Sequence, residues 1–346
     1  MSVHTTERVL KHLDYLDGWR GLAISCVLVD HFARIPGIAS GRLGVDLFFA
    51  LSGLLMSRIL FEERVPIATF YRRRVSRILP VFVLYLAVIF TLAAVHGISV
   101  PIHEVVASAT FLRTYIDPFL WDSQFPIGHL WSLNVEEHSY MLLSLVAGVV
   151  LLRRRASTVL LGLGLATFGA MAIYVLLTDL PTREWMLRTE CAATTILISA
   201  WYRRISHRVP IRPWMPAVVL ALAMASYLQI FPKELRAIVA PFMLAFAVNH
   251  IGAASEWLLA IFRNVALRYV GLWSYSIYLW QQPFHESRAL SSPVALGLAL
   301  LTGVVSYYLY ETPIRQWLNQ HWKPKRSASS APYGRDDTTA AQDSAR

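Results

Sequence analysis

The chain is poor in cysteine: two among 346 residues, Cys26 and Cys191, each within an apolar segment. That excludes a disulfide framework and a CxxC metal or redox site. Charge is also scarce, at 16% of residues, with 22 Asp and Glu against 32 Lys and Arg. A soluble enzyme needs a charged surface, and a chain 55% hydrophobic with mean hydropathy +0.46 does not supply one. Walker, Rossmann and zincin motifs are absent, as is any internal repeat, so the repeated halves of many transporters are missing too.

What is present is a succession of apolar segments. Crossing a hydrocarbon core of about 30 Å takes roughly 20 mostly apolar residues. Ten segments qualify: residues 19–36, 43–60, 78–95, 129–152, 157–178, 186–202, 214–231, 236–253, 269–284 and 293–310. The expected fold is therefore all-α, a polytopic membrane helix bundle of about ten transmembrane helices. With both termini inside, only Arg34, Arg42, Arg113, Arg183, Arg188, Lys233, Arg236 and Arg288 fall on the outer side, which is the asymmetry that positive-inside topology requires. The net charge of +10 then reads as topology and contact with anionic membrane lipids, not nucleic-acid binding. A multi-pass protein of the inner (plasma) membrane is expected. Residues 1–18 would form a cytoplasmic segment, 19–318 the membrane domain, and 319–346, rich in Ser, Ala, Asp and Thr, a disordered cytoplasmic tail with no soluble domain attached. A cleavable signal core does not fit the first segment, because Asp30 and His31 interrupt it.

Chemistry must lie where polar residues interrupt these segments, because an ionisable group at membrane depth costs several kcal/mol on most scales. Arg20 and His31, eleven residues apart in the first segment, would share one helix face roughly 16 Å apart. A turn at Pro36, Gly37 and Gly41 follows, and counting outward from it sets His31 and Asp46 at similar depth, roughly 11 Å below the turn. Asp46 is thereby expected to orient His31 for general-base or nucleophilic work, unless it merely caps backbone near Ser52 and Gly53. Asp30, about 100° away round the helix, is a weaker partner.

FYRRRVSRILP is expected on an inner loop, with Arg73, Arg74 and Arg77 suited to a phosphate-bearing anion or simply to topology. Glu136 and Glu137, in WSLNVEEHSY, should lie about 10 Å below the outer surface and face a polar cavity, ready for proton transfer or for a transporter's relay. His129 and His138 flank them at no metal-ligand spacing, so no metal is expected. Trp280, Tyr307 and Tyr308 read as interfacial belts, and Glu311 with Arg315 as an i,i+4 ion pair.

LDGWRG with its histidine, GVDLFFALSGLLM, RVSR before ILP, WSLNVEEHSY, and SYSIYLW followed by proline occur in order over residues 14–315. Together they resemble the signatures of the acyltransferase 3 family, integral-membrane O-acyltransferases of cell-surface carbohydrates and sometimes of small molecules. The resemblance implies an acyl group, usually acetyl, taken from acyl-CoA inside and passed to a hydroxyl, often outside, with acyl-CoA as donor substrate and no bound cofactor. It matches Arg20 and His31 to the family's paired arginine and histidine, Arg74 and Arg77 to its RxxR element, Asp46 to its GVD aspartate, and Glu136 and Glu137 to its VEE element. Arg20, Arg73, Arg74 and Arg77 would then hold acyl-CoA. His31, Asp46, Glu136 and Glu137 would carry the chemistry, His31 as base or as acyl carrier. One position departs: the family often has histidine after LYLW, and this chain has Gln281. Some relatives also carry a C-terminal esterase-like domain, so this chain is expected to act alone or with a separate partner. A transporter or flippase of lipid-linked sugars is the alternative from another class.

Overall fold

The computed structural model describes residues 13–116, 123–177 and 182–322. Most of the expected N-terminal segment, and the tail from 323 with its basic cluster, lie outside the described residues. α1 (Asp14–Leu28) is prolonged by a π-helical turn, Val29–Ala33, and α2 (Ser40–Ser57) by another, Arg58–Glu62. Next come α3 (Ile67–Val95), α4 (Ile102–Ala109), α5 (Leu130–Gly148), α6 (Val150–Arg154) and α7 (Ala156–Leu177). The short α8 (Thr182–Trp185) and α9 (Thr189–Ala192) precede α10 (Thr194–Ile205), α11 (Met215–Ala225), α12 (Lys233–His250) and α13 (Glu256–Phe262). The last elements are α14 (Val265–Glu286), α15 (Ser292–Ser306) and α16 (Thr312–His321), with a π turn, Tyr307–Glu311, joining α15 to α16. Among the described residues there is no strand, only an isolated bridge between Ile38 and Leu228.

A helix underlies each of the ten apolar segments. Among the described residues, five helical runs are long and apolar enough to cross a membrane by length and composition: Ser40–Glu62, Ile67–Val95, Ala156–Tyr174, Lys233–Ala253 and Ser292–His321. The chain is a helical membrane protein. α2 is its centre, 78% buried along its apolar window, with α1, α5, α10 and α12 against it. α7, 22% buried, instead turns Leu165, Ile173, Leu176 and Leu177 outward, as a lipid-facing helix does.

The LDGWRG stretch packs α1 on α13 and α14. Side chains are absent at Gly18, Gly21 and Gly271 because backbone occupies their place: the carbonyls of Phe262, Leu267 and Asp17, respectively, stand where a Cβ would go. Between these glycines Trp19 is fully buried, stacks on Phe262 at 5.6 Å and donates its indole N–H to the Leu47 carbonyl at 2.9 Å. α1 is thereby fixed to α2 and α14 together, and its remaining faces carry Arg20 and, at the far end, His31.

Two boundaries differ from expectation. Pro66 sets the start of α3, so Arg72–Arg77 lie on its first turns and not on a loop. The final helix runs through His321, so residues 319–321 are helical and no part of a disordered tail.

Candidate active site

Two cavities flank the centre of the bundle. The first, about 130 Å³, lies toward the end where α1 begins and is lined by Arg20, Arg74, Arg77, Ser52, Glu136 and Tyr140, with Ser132 and Tyr278 among its other walls. Here the arginines and the VEE carboxylates meet. Arg74 pairs with Glu137, Nη2 to Oε1 at 2.6 Å and Nε to both oxygens at 3.1 and 3.2 Å, and its guanidinium lies 3.3 Å above the Tyr140 ring. Ser52 and Tyr140 donate short hydrogen bonds to Glu136 Oε1, while Glu136 Oε2 stands 4.0 Å from Arg74. Arg20 is held at 2.5 Å by Asp17.

The glutamates are not near the outer end, as depth counting predicts. α5 does not start at a surface: Phe125, Ile127 and His129 before it are 5%, 0% and 2% exposed, so the chain has already entered the bundle when the helix begins. Counted from that buried start, Glu136 and Glu137 reach the level of Arg74. Arg73 points elsewhere; it is exposed and not on the cavity wall.

The second cavity, about 660 Å³, lies at the opposite end of α1, lined by His31, Phe32, Phe284 and His285 and opening past the exposed Arg34, Glu286 and Arg288. His31 sits in the π turn that ends the first helix, a local widening often found at functional sites. Its Nδ1 lies 2.8 Å from Gln281 Oε1, and its ring stacks on His285 with centroids 4.1 Å apart and planes 15° from parallel. His285 Nδ1 donates to the His31 carbonyl at 3.0 Å.

Asp46 does not orient His31. It accepts from Arg42 Nε at 2.9 Å and Tyr227 OH at 2.7 Å, beside a small cavity of about 30 Å³ against α10 and α12. Nor does it cap backbone near Ser52, which is bonded to Glu136. Equal depth fixes height but not direction. The turn before α2 is tied to the end of α11, Ala39 N–H to the Tyr227 carbonyl and Gln229 N–H to the Gly37 carbonyl, and this rotates Asp46 toward Tyr227. Asp30 accepts from Ser40 at 3.3 Å. The VEE glutamates, committed in the first cavity, do not reach His31 either.

Between the cavities lies a polar seam. Tyr278 donates to the His129 carbonyl at 2.8 Å and lies 2.6 Å from the Ser132 hydroxyl. Both ring nitrogens of His129, Gln281 Nε2 and Trp280 Nε1 are buried without hydrogen-bond partners, each costing about 1–3 kcal/mol unless something fills the place. Trp280, expected in an interfacial belt, is only 9% exposed and packs edge-on against Tyr85 at 5.4 Å; Tyr307 is buried as well, and Tyr308 is exposed. Glu311 and Arg315 do pair, at 3.3 Å. Among the described residues no group of three His, Cys, Asp or Glu is arranged for a metal ion.

Gln281 and His285 escaped sequence reasoning as partners of His31. Their one local signal is that they lie one helical turn apart at the end of SYSIYLWQQPFH.

No solved structure is significantly similar. The O-acetyltransferase OatA of Staphylococcus aureus strain NCTC 8325 / PS 47 is 24% identical over 353 residues, covering 88% of this chain and 58% of that protein. OatA of strain COL gives the same values. Another S. aureus relative, SACOL0978 of strain COL, is 23% identical over 356 residues, 90% of this chain and 59% of that protein. The chain thus spans less than two thirds of the length of these relatives. The sequence profile of the acyltransferase domain matches residues 13–310, essentially the whole helical bundle with both cavities, and the chain belongs to the acyltransferase 3 family.

Proposed function

We propose that the protein is a membrane O-acyltransferase that takes an acyl group, acetyl in the simplest case, from acyl-CoA and transfers it to a hydroxyl of a carbohydrate. The observation that carries this reading is the arrangement along α1: an arginine-lined cavity at one end, an imidazole in a polar cavity at the other, and a seam of unpartnered polar atoms between. The excess of basic residues toward the Arg20 end supports an orientation with that end in the cytoplasm and the His31 end outside. Arg20 and Arg77 take the phosphates of the donor, while Arg74, engaged with Glu137, holds the wall of that cavity in shape. The amide-bearing arm of acyl-CoA suits a route lined by His129, Trp280 and Gln281, because its amides both donate and accept hydrogen bonds. His31 stands where that route meets the outer cavity. With Gln281 Oε1 as the acceptor, the His31 proton sits on Nδ1 and the lone pair on Nε2 is free for chemistry.

The test is mass spectrometry of surface glycans from a deletion strain, its complement, and a complement carrying His31→Ala. An acyl mass that is lost and returns only with the intact histidine supports the reading. Glycan acylation unchanged across all three would overturn the carbohydrate acceptor and turn the search to small-molecule hydroxyls. Membranes that leave acetyl-CoA unconsumed with every acceptor would overturn the acyltransferase itself.

A further inference from the structure

The outer cavity holds a second imidazole that the reading above leaves unused. His285 stacks face to face on His31, and its Nδ1 donates to the His31 main-chain carbonyl, an atom that can only accept. Its proton is therefore fixed on Nδ1, and Nε2 carries a free lone pair. The two rings thus present two bases, both lining a cavity open to the surface. An acyl carrier cannot serve as base in the same step: once Nε2 of His31 is acylated its lone pair is used, and Nδ1 already bears the proton that faces Gln281.

Resting on the acyltransferase reading, we propose that His285 is the base that takes the acceptor's hydroxyl proton while His31 carries the acyl group. In the first step His31 Nε2 attacks the thioester carbonyl; an N–C bond forms, the C–S bond breaks, and the coenzyme A thiolate leaves toward the arginine-lined cavity, where it takes a proton from water. This leaves an N-acyl-imidazolium stacked on a neutral ring. In the second step the acceptor oxygen attacks that carbonyl as its proton passes to His285 Nε2. The O–C bond forms, the N–C bond breaks with its electron pair returning to His31, and His285 releases the proton to the outer solvent. The single positive charge moves from one ring to the other and never occupies both, which is what a 4.1 Å stack requires.

The experiment uses the full chain in proteoliposomes given acetyl-CoA, rapidly quenched and read by intact-protein mass spectrometry, then chased with glycerol in water or with hydroxylamine. Hydroxylamine attacks an acyl-imidazole as a neutral amine and needs no base. Wild type should gain one acetyl group and lose it in either chase. His285→Asn keeps a donor for the His31 carbonyl, and His285→Phe keeps an aromatic ring on the stack. Both should acquire the acetyl group, hold it about 100-fold longer in glycerol and water, and lose it normally to hydroxylamine. Equal lifetimes in wild type and variants would overturn the proposal, as would variants that fail to become acetylated where wild type succeeds. Discharge blocked by Glu286→Gln and not by His285→Asn would assign the base to the neighbouring carboxylate instead. Wild type that consumes acetyl-CoA with no acetylated protein overturns His31 as carrier and leaves the acyltransferase reading intact; wild type that consumes none fails that reading itself.

Discussion

The two cavities differ in how their charges are committed. In the arginine-lined one, Arg74 and Arg20 each have a carboxylate partner and Glu136 accepts two hydroxyl donors, so the groups hold one another in place. In the histidine-lined one, each ring uses a single nitrogen to fix its orientation and leaves the other free. On the function proposed above, the densely paired site positions the donor and the sparsely paired one reacts. That contrast explains why a cluster of arginines and glutamates, the louder signal in the sequence, need not be where bonds change.

Breaking the reactive side should have the largest effect. His31→Ala should lower acyl transfer about 10³-fold or more while membrane insertion is retained, checked by acetyl-CoA turnover against protein quantified in the membrane fraction. Gln281→Leu should come next, about 10–100-fold in kcat, because Nδ1 loses the acceptor that selects its tautomer; Gln281→Glu should recover most of that rate. A Leu variant as active as wild type would show that the imidazole is oriented by something else.

The positioning side should respond in binding more than in turnover. Arg77→Ala is expected to raise KM for acetyl-CoA about tenfold with kcat little changed, and Arg73→Ala, exposed beyond the cavity wall, to alter neither. Equal effects of the two would dissolve the distinction between them. The smallest catalytic effect belongs to Asp46→Asn, which should lower stability by about 1–3 kcal/mol, seen as earlier thermal unfolding in detergent, with activity per folded molecule unchanged.

Much of this was legible in the residues. The helices were, because an apolar run long enough to cross a membrane marks its own position. Arg20 and His31 were legible as polar residues that line the two cavities, because charge within such a run stands out. Asp46 was misplaced because a count of residues gives depth, whereas the direction a helix faces is decided by what ties its ends, here the main chain around Tyr227. Glu136 and Glu137 were set at the wrong end because the count assumed that α5 begins at a surface. His285 and Gln281 lie about 250 positions from His31 in the chain, and no spacing rule joins residues that meet only when α1 and α14 pack. For these residues the missing information was depth, azimuth or long-range contact, whereas element type was missed only at two boundaries, Arg72–Arg77 and residues 319–321.

The glycine contacts between α1 and α14 carry a consequence for how such a protein can change. With Gly21 and Gly271 set against facing main chain, the two helices cannot slide past one another, and each becomes a ruler zeroed at the same point. His31 lies ten residues along one ruler from Gly21, and Gln281 ten residues along the other from Gly271. The equal count brings the imidazole and its carboxamide partner to the same mark. A single residue inserted on one side only would turn one of them about 100° out of register, so the two segments can lengthen or shorten only in concert.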